Sequence, residues 1–255
     1  PLQRDQGVEL MLRVGRISYL NVEPFFHAFP WPVVDSLPPR ALGEAVAGGR
    51  IDTGPLALAD CLRLEGTVIR LPFGIVGPTR AQSVLLFSDR PMRELGGRRI
   101  AVTGETSTSV RLLRILLALR DEVPAPTLVG LDDRADAVLI IGDAALRALQ
   151  APWPKPLCYD LGEEWTSWTG HPMVFAAWAV RLDTPAAARD GLESALADAL
   201  DVGLASLPAI AARRRDLGLS EAEIIAYLES FRYRVGPDDE KAVDEYRRLL
   251  ALLEA

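Results

Sequence analysis

A chain of 255 residues with 49% apolar and 25% charged residues has the make-up of a globular protein with one large domain or two lobes, which excludes extended disorder. Its 28 basic and 35 acidic residues leave a net charge of −7, and the arginines are scattered among acids without a basic stripe, so a nucleic-acid partner is excluded. Cys61 and Cys158, like His27 and His171, are isolated, offering neither a disulfide framework nor a metal-ligand spacing.

The first ten residues hold no continuous apolar region, so no secretory signal is expected, although a signal already removed would leave no trace. Met11 is an alternative start, which would make residues 1–10 an extension. No segment approaches the roughly twenty apolar residues that span a bilayer. A cytoplasmic location without a membrane partner is the expectation.

The first apolar run, residues 12–17, reads as a strand that breaks into Ser18, Tyr19 and Asn21. In open α/β sheets ligands bind beyond the carboxyl ends of strands, so this polar cluster is either a plain strand end or one wall of a site. Residues 25–29 follow Pro24 and open a helix. A proline-rich loop covers 30–39, and 40–47 reads as a helix ending at Gly48-Gly49. Residues 51–56 form a short strand, followed by a turn and a helix through Leu62.

Two long β-type runs, 83–88 and 173–181, frame the middle of the chain. Between them lie a strand at 99–103, a helix at 108–120, a strand at 137–141 and a helix at 143–150. A lobe inserted between two crossing strands gives a two-lobed, hinged α/β protein. One continuous doubly wound sheet is the competing arrangement, and the pattern alone leaves both open. The last third is helical. Leu192, Leu196 and Leu200 recur at helix spacing, Ser220-Glu221-Ala222-Glu223 is a capping box, and Val243, Tyr246, Leu250 and Leu253 stripe a final helix from near Pro237.

Gly104-Glu105-Thr106-Ser107-Thr108-Ser109-Val110 carries the second cluster of polar groups. It opens an apolar helix after a strand, and a helix start offers unpaired N–H groups and partial positive charge to a carboxylate or phosphate. Capping uses the same residue types, but Thr106, Ser107, Thr108 and Ser109 together exceed what one cap needs. Gly142 and Asp143 stand at another strand-to-helix junction, where glycine permits close approach to a ligand and Asp143 either caps the helix or holds a substrate hydroxyl. In Tyr159-Asp-Leu-Gly-Glu-Glu-Trp165, Glu163 and Glu164 read as acids favourable to a helix start rather than as catalysts. Ser83 begins a strand facing the cleft, with no G-x-S-x-G elbow and no suitable histidine. Its expected role is positioning or proton handling.

Taken in order, Gly15-Arg-Ile-Ser-Tyr-Leu-Asn21 with Pro24-Phe-Phe26, Ser83-Val-Leu-Leu-Phe-Ser88, Thr106-Ser-Thr-Ser-Val-Arg-Leu-Leu113, Leu139-Ile-Ile-Gly-Asp-Ala-Ala-Leu146 and Tyr159-Asp-Leu-Gly-Glu-Glu-Trp165 running into Val174-Phe-Ala resemble the menaquinone-biosynthesis chorismate dehydratases of the futalosine pathway. The chain departs from that pattern at Glu23, where the family often has a small residue. The resemblance implies a type II periplasmic-binding-protein-like fold with a hinged interlobe cleft. It places residues 12–88 and 175–255 in one lobe and 89–174 in the other. It further implies a hydro-lyase that removes water from chorismate to give 3-[(1-carboxyvinyl)oxy]benzoate without a metal or other cofactor. Asn21 and Ser83 would be catalytic; Ser18, Tyr19, Thr106, Ser107, Thr108, Ser109, Gly142 and Asp143 would bind substrate. No strong protein base stands among these positions, so a substrate carboxylate is a candidate base. The rivals are a solute-binding protein for a small carboxylate ligand without catalysis, an effector-binding domain, and the sister lyase of the same pathway. Oligomeric state is not legible.

Overall fold

The computed structural model describes residues 11–105, 107–153 and 155–254. The chain lays down β1 (Val14–Arg16), β2 (Val33–Ser36), β3 (Thr53–Ala57) and β4 (Val68–Gly77) in one sheet. It then builds a second sheet from β5 (Val84–Ser88), β6 (Arg99–Val102), β7 (Thr127–Val129), β8 (Ala137–Ile141) and β9 (Leu157–Asp160), and returns to the first with β10 (Met173–Arg181) and β11 (Arg232–Arg234). The strand orders are β11-β4-β10-β3-β1-β2 and β7-β6-β8-β5-β9. Two separate sheets decide against one continuous doubly wound sheet.

Helices α1 (Glu23–Phe26), α2 (Pro39–Ala47) and α3 (Leu58–Arg63) belong to the first pass, and α4 (Thr108–Ile115), α5 (Gly142–Ala148) and α6 (Leu161–Thr169) to the second lobe. After β10 come α7 (Ala186–Ala205), α8 (Leu207–Arg213), α9 (Glu221–Glu229) and α10 (Pro237–Glu254). The pairs β1–β2, β1–β3, β6–β7 and β6–β8 run parallel, while β10 is antiparallel to β3 and β4, β11 is antiparallel to β4, and β5 is antiparallel to β8 and β9. The expected helix over 108–120 is α4 continued by a π-helical turn, Leu116–Arg120.

The outgoing crossing strand is β4 rather than residues 83–88, which the sequence placed with the first lobe. Strand β5 instead pairs on both sides within the second sheet, at Leu86–Leu139 and Leu86–Tyr159. A fully buried run such as Val84-Leu-Leu-Phe-Ser88 has no alternation, so nothing in it names its sheet. Strand β4 has no regular strand pattern in the sequence because Pro72, Gly74 and Gly77 interrupt it. The ladder to β10 absorbs the proline in a bulge: Ala177 faces Gly74 while Ala179 faces Arg70.

Two apolar cores result. In the first, Phe25 is wholly buried with its ring 5.7 Å from Trp178, 5.7 Å from Tyr233 and 6.2 Å from Phe73, burial that contributes about 2–3 kcal/mol for one such ring. It ties the segment after the first polar cluster to β4, β10 and β11. Leu192, Leu196 and Leu200 of α7 fall in this core, all with no exposure. In the second core, Trp165 packs beside Tyr246 at 6.0 Å between centroids. Thus α10 seats Val243, Tyr246 and Leu249 against the second lobe, although the sequence division assigned it to the first. The Ser220 capping box forms as expected, with Ser220 N–H donating to Glu223 at 2.8 Å and Glu223 N–H to Ser220 at 3.2 Å.

Candidate functional site

A cleft lies where the two lobes meet, beyond the carboxyl ends of β1, β3 and β8. Its walls include Tyr19, Asn21, Ser83, Ser107, Thr108, Ser109 and Gly142. Two expected residues are absent from this set: Ser18 is exposed, and Asp143 is spent on other contacts described below. Thr106 lies outside the described residues.

Asn21 is presented by its neighbours. Residues Leu20–Val22 form a 3-10 turn in which Leu20 and Val22 are buried, so the intervening side chain is turned to the cleft. Among the described residues the Asn21 amide has no hydrogen-bond partner, leaving its donors and its acceptor open to a ligand.

Ser83 is held from several directions. The Asp160 carboxylate, which caps α6, accepts from Ala81 N–H at 2.9 Å and Gln82 N–H at 2.6 Å as well as from Gly162 and Glu163. Gln82 has φ +58°, a left-handed conformation that costs a non-glycine residue about 1–2 kcal/mol. Its side-chain amide donates to Ser230 Oγ at 2.7 Å, and the Ser83 carbonyl accepts from Gly142 N–H at 2.8 Å. The Ser83 hydroxyl is buried, 2.7 Å from the Tyr227 phenol oxygen and 3.4 Å from the Ala81 carbonyl. Burial pushes the Tyr227 phenol well above its ordinary pKa, so it keeps its proton.

The Ser–Thr run divides into distinct roles. Thr108 is fully committed: its hydroxyl accepts from Ala59 N–H at 3.1 Å and donates to the Phe175 carbonyl at 3.2 Å, joining α3, α4 and β10. Ser107 receives Arg111 on its Oγ at 2.9 Å and its carbonyl at 3.2 Å, and caps none of the helix N–H groups. The hydroxyl hydrogen of Ser107, the Ser109 hydroxyl and the first-turn amides of α4 therefore remain as donors at the cleft. Among the described residues, no carboxylate, imidazole, ammonium or guanidinium group lines it.

Tyr19 roofs the cleft. Its ring lies on Gly142, where a Cβ would come within 2.8 Å of three ring atoms, and Gly142 has φ +60°. The phenol donates to Glu105 at 2.9 Å, and the Glu105 carbonyl accepts from Arg40 N–H of α2 at 3.0 Å. Burial, then the Glu105 charge, raise the Tyr19 pKa far above the usual phenol value.

Asp143 works beside the cleft. It accepts from Leu20 N–H at 2.8 Å and pairs with Arg214, which also reaches Asp216 at 3.0 Å and Glu23 at 3.4 Å. The carboxylate thus latches the Asn21 turn and the helical tail onto α5. Glu23, the departure from the family pattern, also pairs with Arg16 at 2.5 Å, so this acid is matched by two arginines. Glu164 pairs with Arg120 and Glu163 is exposed, both away from the cleft. Cys61 is buried, its thiol pushed up to about 12 by that burial. No group of three or more His, Cys, Asp or Glu gathers as a metal site among the described residues.

Tyr227, Asp160 and Glu105 stand outside the site residues expected from the sequence. Asp160 carried the one available signal, an acid immediately before a helix.

Two sheets joined at a hinge, with a cleft between them whose apolar walls carry a few hydroxyl and amide groups, define the class of two-lobed proteins with the periplasmic-binding-protein fold. Protein AF1704 from Archaeoglobus fulgidus superposes with a TM-score of 0.76 at 16% identity, over 94% of this chain and 97% of that one. The periplasmic aliphatic sulphonate binding protein SsuA from Escherichia coli does so with a TM-score of 0.64 at 16% identity, over 95% and 86%. Such likenesses show the fold alone. A sequence model described as menaquinone biosynthesis matches residues 12–252, and the chain belongs to that family. It is 29% identical to the chorismate dehydratase of Thermus thermophilus, over 94% of this chain and 95% of that protein.

Proposed function

We propose that this protein is a chorismate dehydratase, a hydro-lyase that eliminates water from chorismate to give 3-[(1-carboxyvinyl)oxy]benzoate. The observation that carries the reading is a cleft furnished with neutral donors and, among the described residues, no protein base, in a chain related to a chorismate dehydratase. One substrate carboxylate sits at the start of α4, on the first-turn amides with Ser107 and Ser109. Asn21 and Ser83 face the ring.

The elimination breaks the C3–H bond, turns its electron pair into the C3–C4 π bond of the aromatic ring, and expels the C4 hydroxyl. The proton passes to the enolpyruvyl carboxylate, the base the substrate brings with it, and from there to the departing C4 hydroxyl, which leaves as water. Ser83 donates to the departing oxygen, and charge that spreads toward the ring carboxylate is stabilised by the donors already in place. Closure of the lobes under Tyr19 keeps bulk water from competing for that carboxylate.

Incubation with chorismate, followed by the rise of an aromatic product in the ultraviolet and by mass spectrometry, tests the activity. Asn21→Ala and Ser83→Ala should each lower kcat by about a hundredfold. Asn21→Ala should leave the melting temperature nearly unchanged, because its amide bonds to no described residue. Chorismate bound but unchanged would instead mark a solute-binding protein for a small carboxylate. Near-normal turnover in both variants would remove Asn21 and Ser83 from the chemistry.

A further inference from the structure

Tyr227 lies in α9, 144 residues from Ser83, and is wholly enclosed in the first-lobe core with Phe231 against its ring at 5.1 Å. Its phenol oxygen has one neighbour, Ser83 Oγ at 2.7 Å, among the described hydrogen-bond partners. Each hydroxyl owns one hydrogen, so the pair can be arranged in two ways. If Ser83 donates to Tyr227, the phenol hydrogen is left buried without an acceptor, which is penalised. If Tyr227 donates to Ser83, both phenol and serine oxygens are satisfied and the serine hydrogen is left over. A phenol is the better donor and the poorer acceptor of the two, which favours the same direction. The remaining serine hydrogen then has only the Ala81 carbonyl at 3.4 Å, too far for a good bond, and a ligand in the cleft is the stronger acceptor.

We infer that Tyr227 is a positioning residue that fixes Ser83 as a hydrogen-bond donor toward the cleft, resting on the dehydratase reading above. The Gln82–Ser230 bond at 2.7 Å couples the same end of α9 to the residue before Ser83, so α9 sets both the backbone and the hydroxyl direction of this serine. The phenol touches no substrate atom. Without it, Ser83 becomes free to rotate and to spend its hydrogen elsewhere.

The test is a double-mutant cycle on chorismate turnover by the full chain, with Tyr227→Phe, Ser83→Ala and the pair. Tyr227→Phe should lower kcat about tenfold, the worth of one well-made hydrogen bond, while KM shifts less than about twofold. In the Ser83→Ala background the same change should have no further effect on kcat, because nothing remains for the phenol to orient. A wild-type kcat in Tyr227→Phe overturns the inference, and so does an equal loss of kcat in both backgrounds, which would mark a purely structural tyrosine. Tyr227→Leu gives the same two outcomes if the phenylalanine variant does not fold. Failure of the unmodified protein to dehydrate chorismate overturns the dehydratase reading itself and the inference with it.

Discussion

Replacing Asp143 with alanine separates a latch from a ligand contact. Two losses follow from the geometry. The Leu20 N–H, on a residue with no exposure, loses its acceptor at 2.8 Å, and a buried unsatisfied donor costs about 1–3 kcal/mol. Arg214, whose side chain is 13% exposed, loses one carboxylate but keeps Asp216 at 3.0 Å and Glu23 at 3.4 Å. The roughly 3–5 kcal/mol that follows complete loss of a buried partner is therefore an upper bound, and about 1–2 kcal/mol is the expected share. Together these come to about 2–5 kcal/mol, or a fall in melting temperature of roughly 5–15 °C for a chain of this length. Thermal unfolding followed by circular dichroism measures it. Asp143→Asn keeps an acceptor for Leu20 and should recover about half of the loss. A melting temperature within about 1 °C of the parent, with a large rise in the KM for chorismate, would refute the latch and return Asp143 to the binding site.

Gly142→Ala forces an alanine into a left-handed conformation, at about 1–2 kcal/mol, and drives a methyl against the Tyr19 ring at 2.8 Å. The ring should lift from Glu105, raising KM and lowering the melting temperature by a few degrees. Adding Tyr19→Ala should relieve the steric part, so strictly additive losses would show that the two do not touch. Stability in acid offers another check. The hydrogen bond from Arg214, then that from Arg147, hold the Asp216 carboxyl below its usual pKa. A depressed carboxyl stabilises the fold above the unfolded value near pH 3.9, and that contribution is lost as pH falls through the lower folded value. Urea midpoints should therefore decline more steeply below about pH 4 in the parent than in Asp216→Asn. Parallel curves would show that the Arg214 pair contributes nothing there, as many half-exposed pairs do not.

Much of this site was legible before the structure because its donors sit where short motifs put them. Ser18-Tyr19-Leu20-Asn21 follows a strand, Ser107 to Ser109 open a helix, and Gly142 joins a strand to a helix; such junctions face ligands for topological reasons. Local sequence could not say which groups at a junction were already spent. Thr108 and Ser109 are adjacent hydroxyls of one type, yet Thr108 is consumed by Ala59 and Phe175 and Ser109 is open. Asp143 looked like a ligand contact and is tied to Leu20 and Arg214, the latter 71 residues away. Tyr227 left no trace, being one more large side chain on the buried face of α9 beside Ile224 and Leu228. The fold shows the same division. Helices with a stripe or a cap were found to within a few residues, whereas β4 was hidden by Pro72 and its glycines, and β5 gave no sign of which sheet it joins.

The absence of cationic side chains among the described lining of a cleft proposed for a dianion has a chemical reason. An arginine or lysine against each carboxylate would bind the substrate more tightly. It would also stabilise the ionised carboxylate and depress its pKa, by about 1–3 units for a close pair. If the enolpyruvyl carboxylate is the base that removes the C3 proton, that depression weakens the base by the same factor and raises the barrier to the step. Amide N–H groups at the start of α4 and the hydroxyls of Ser107 and Ser109 can hold a carboxylate with directed bonds and only partial charge. Asn21 and Ser83 add further neutral donors around the ring. Long-range attraction is given up in a protein of net charge −7, and the basicity that the elimination needs is kept. Introducing a cation is then a sharp test of who the base is: Ser109→Lys should tighten chorismate binding while lowering kcat. If kcat is instead unchanged or raised, the carboxylate held at the start of α4 is not the group that takes the proton.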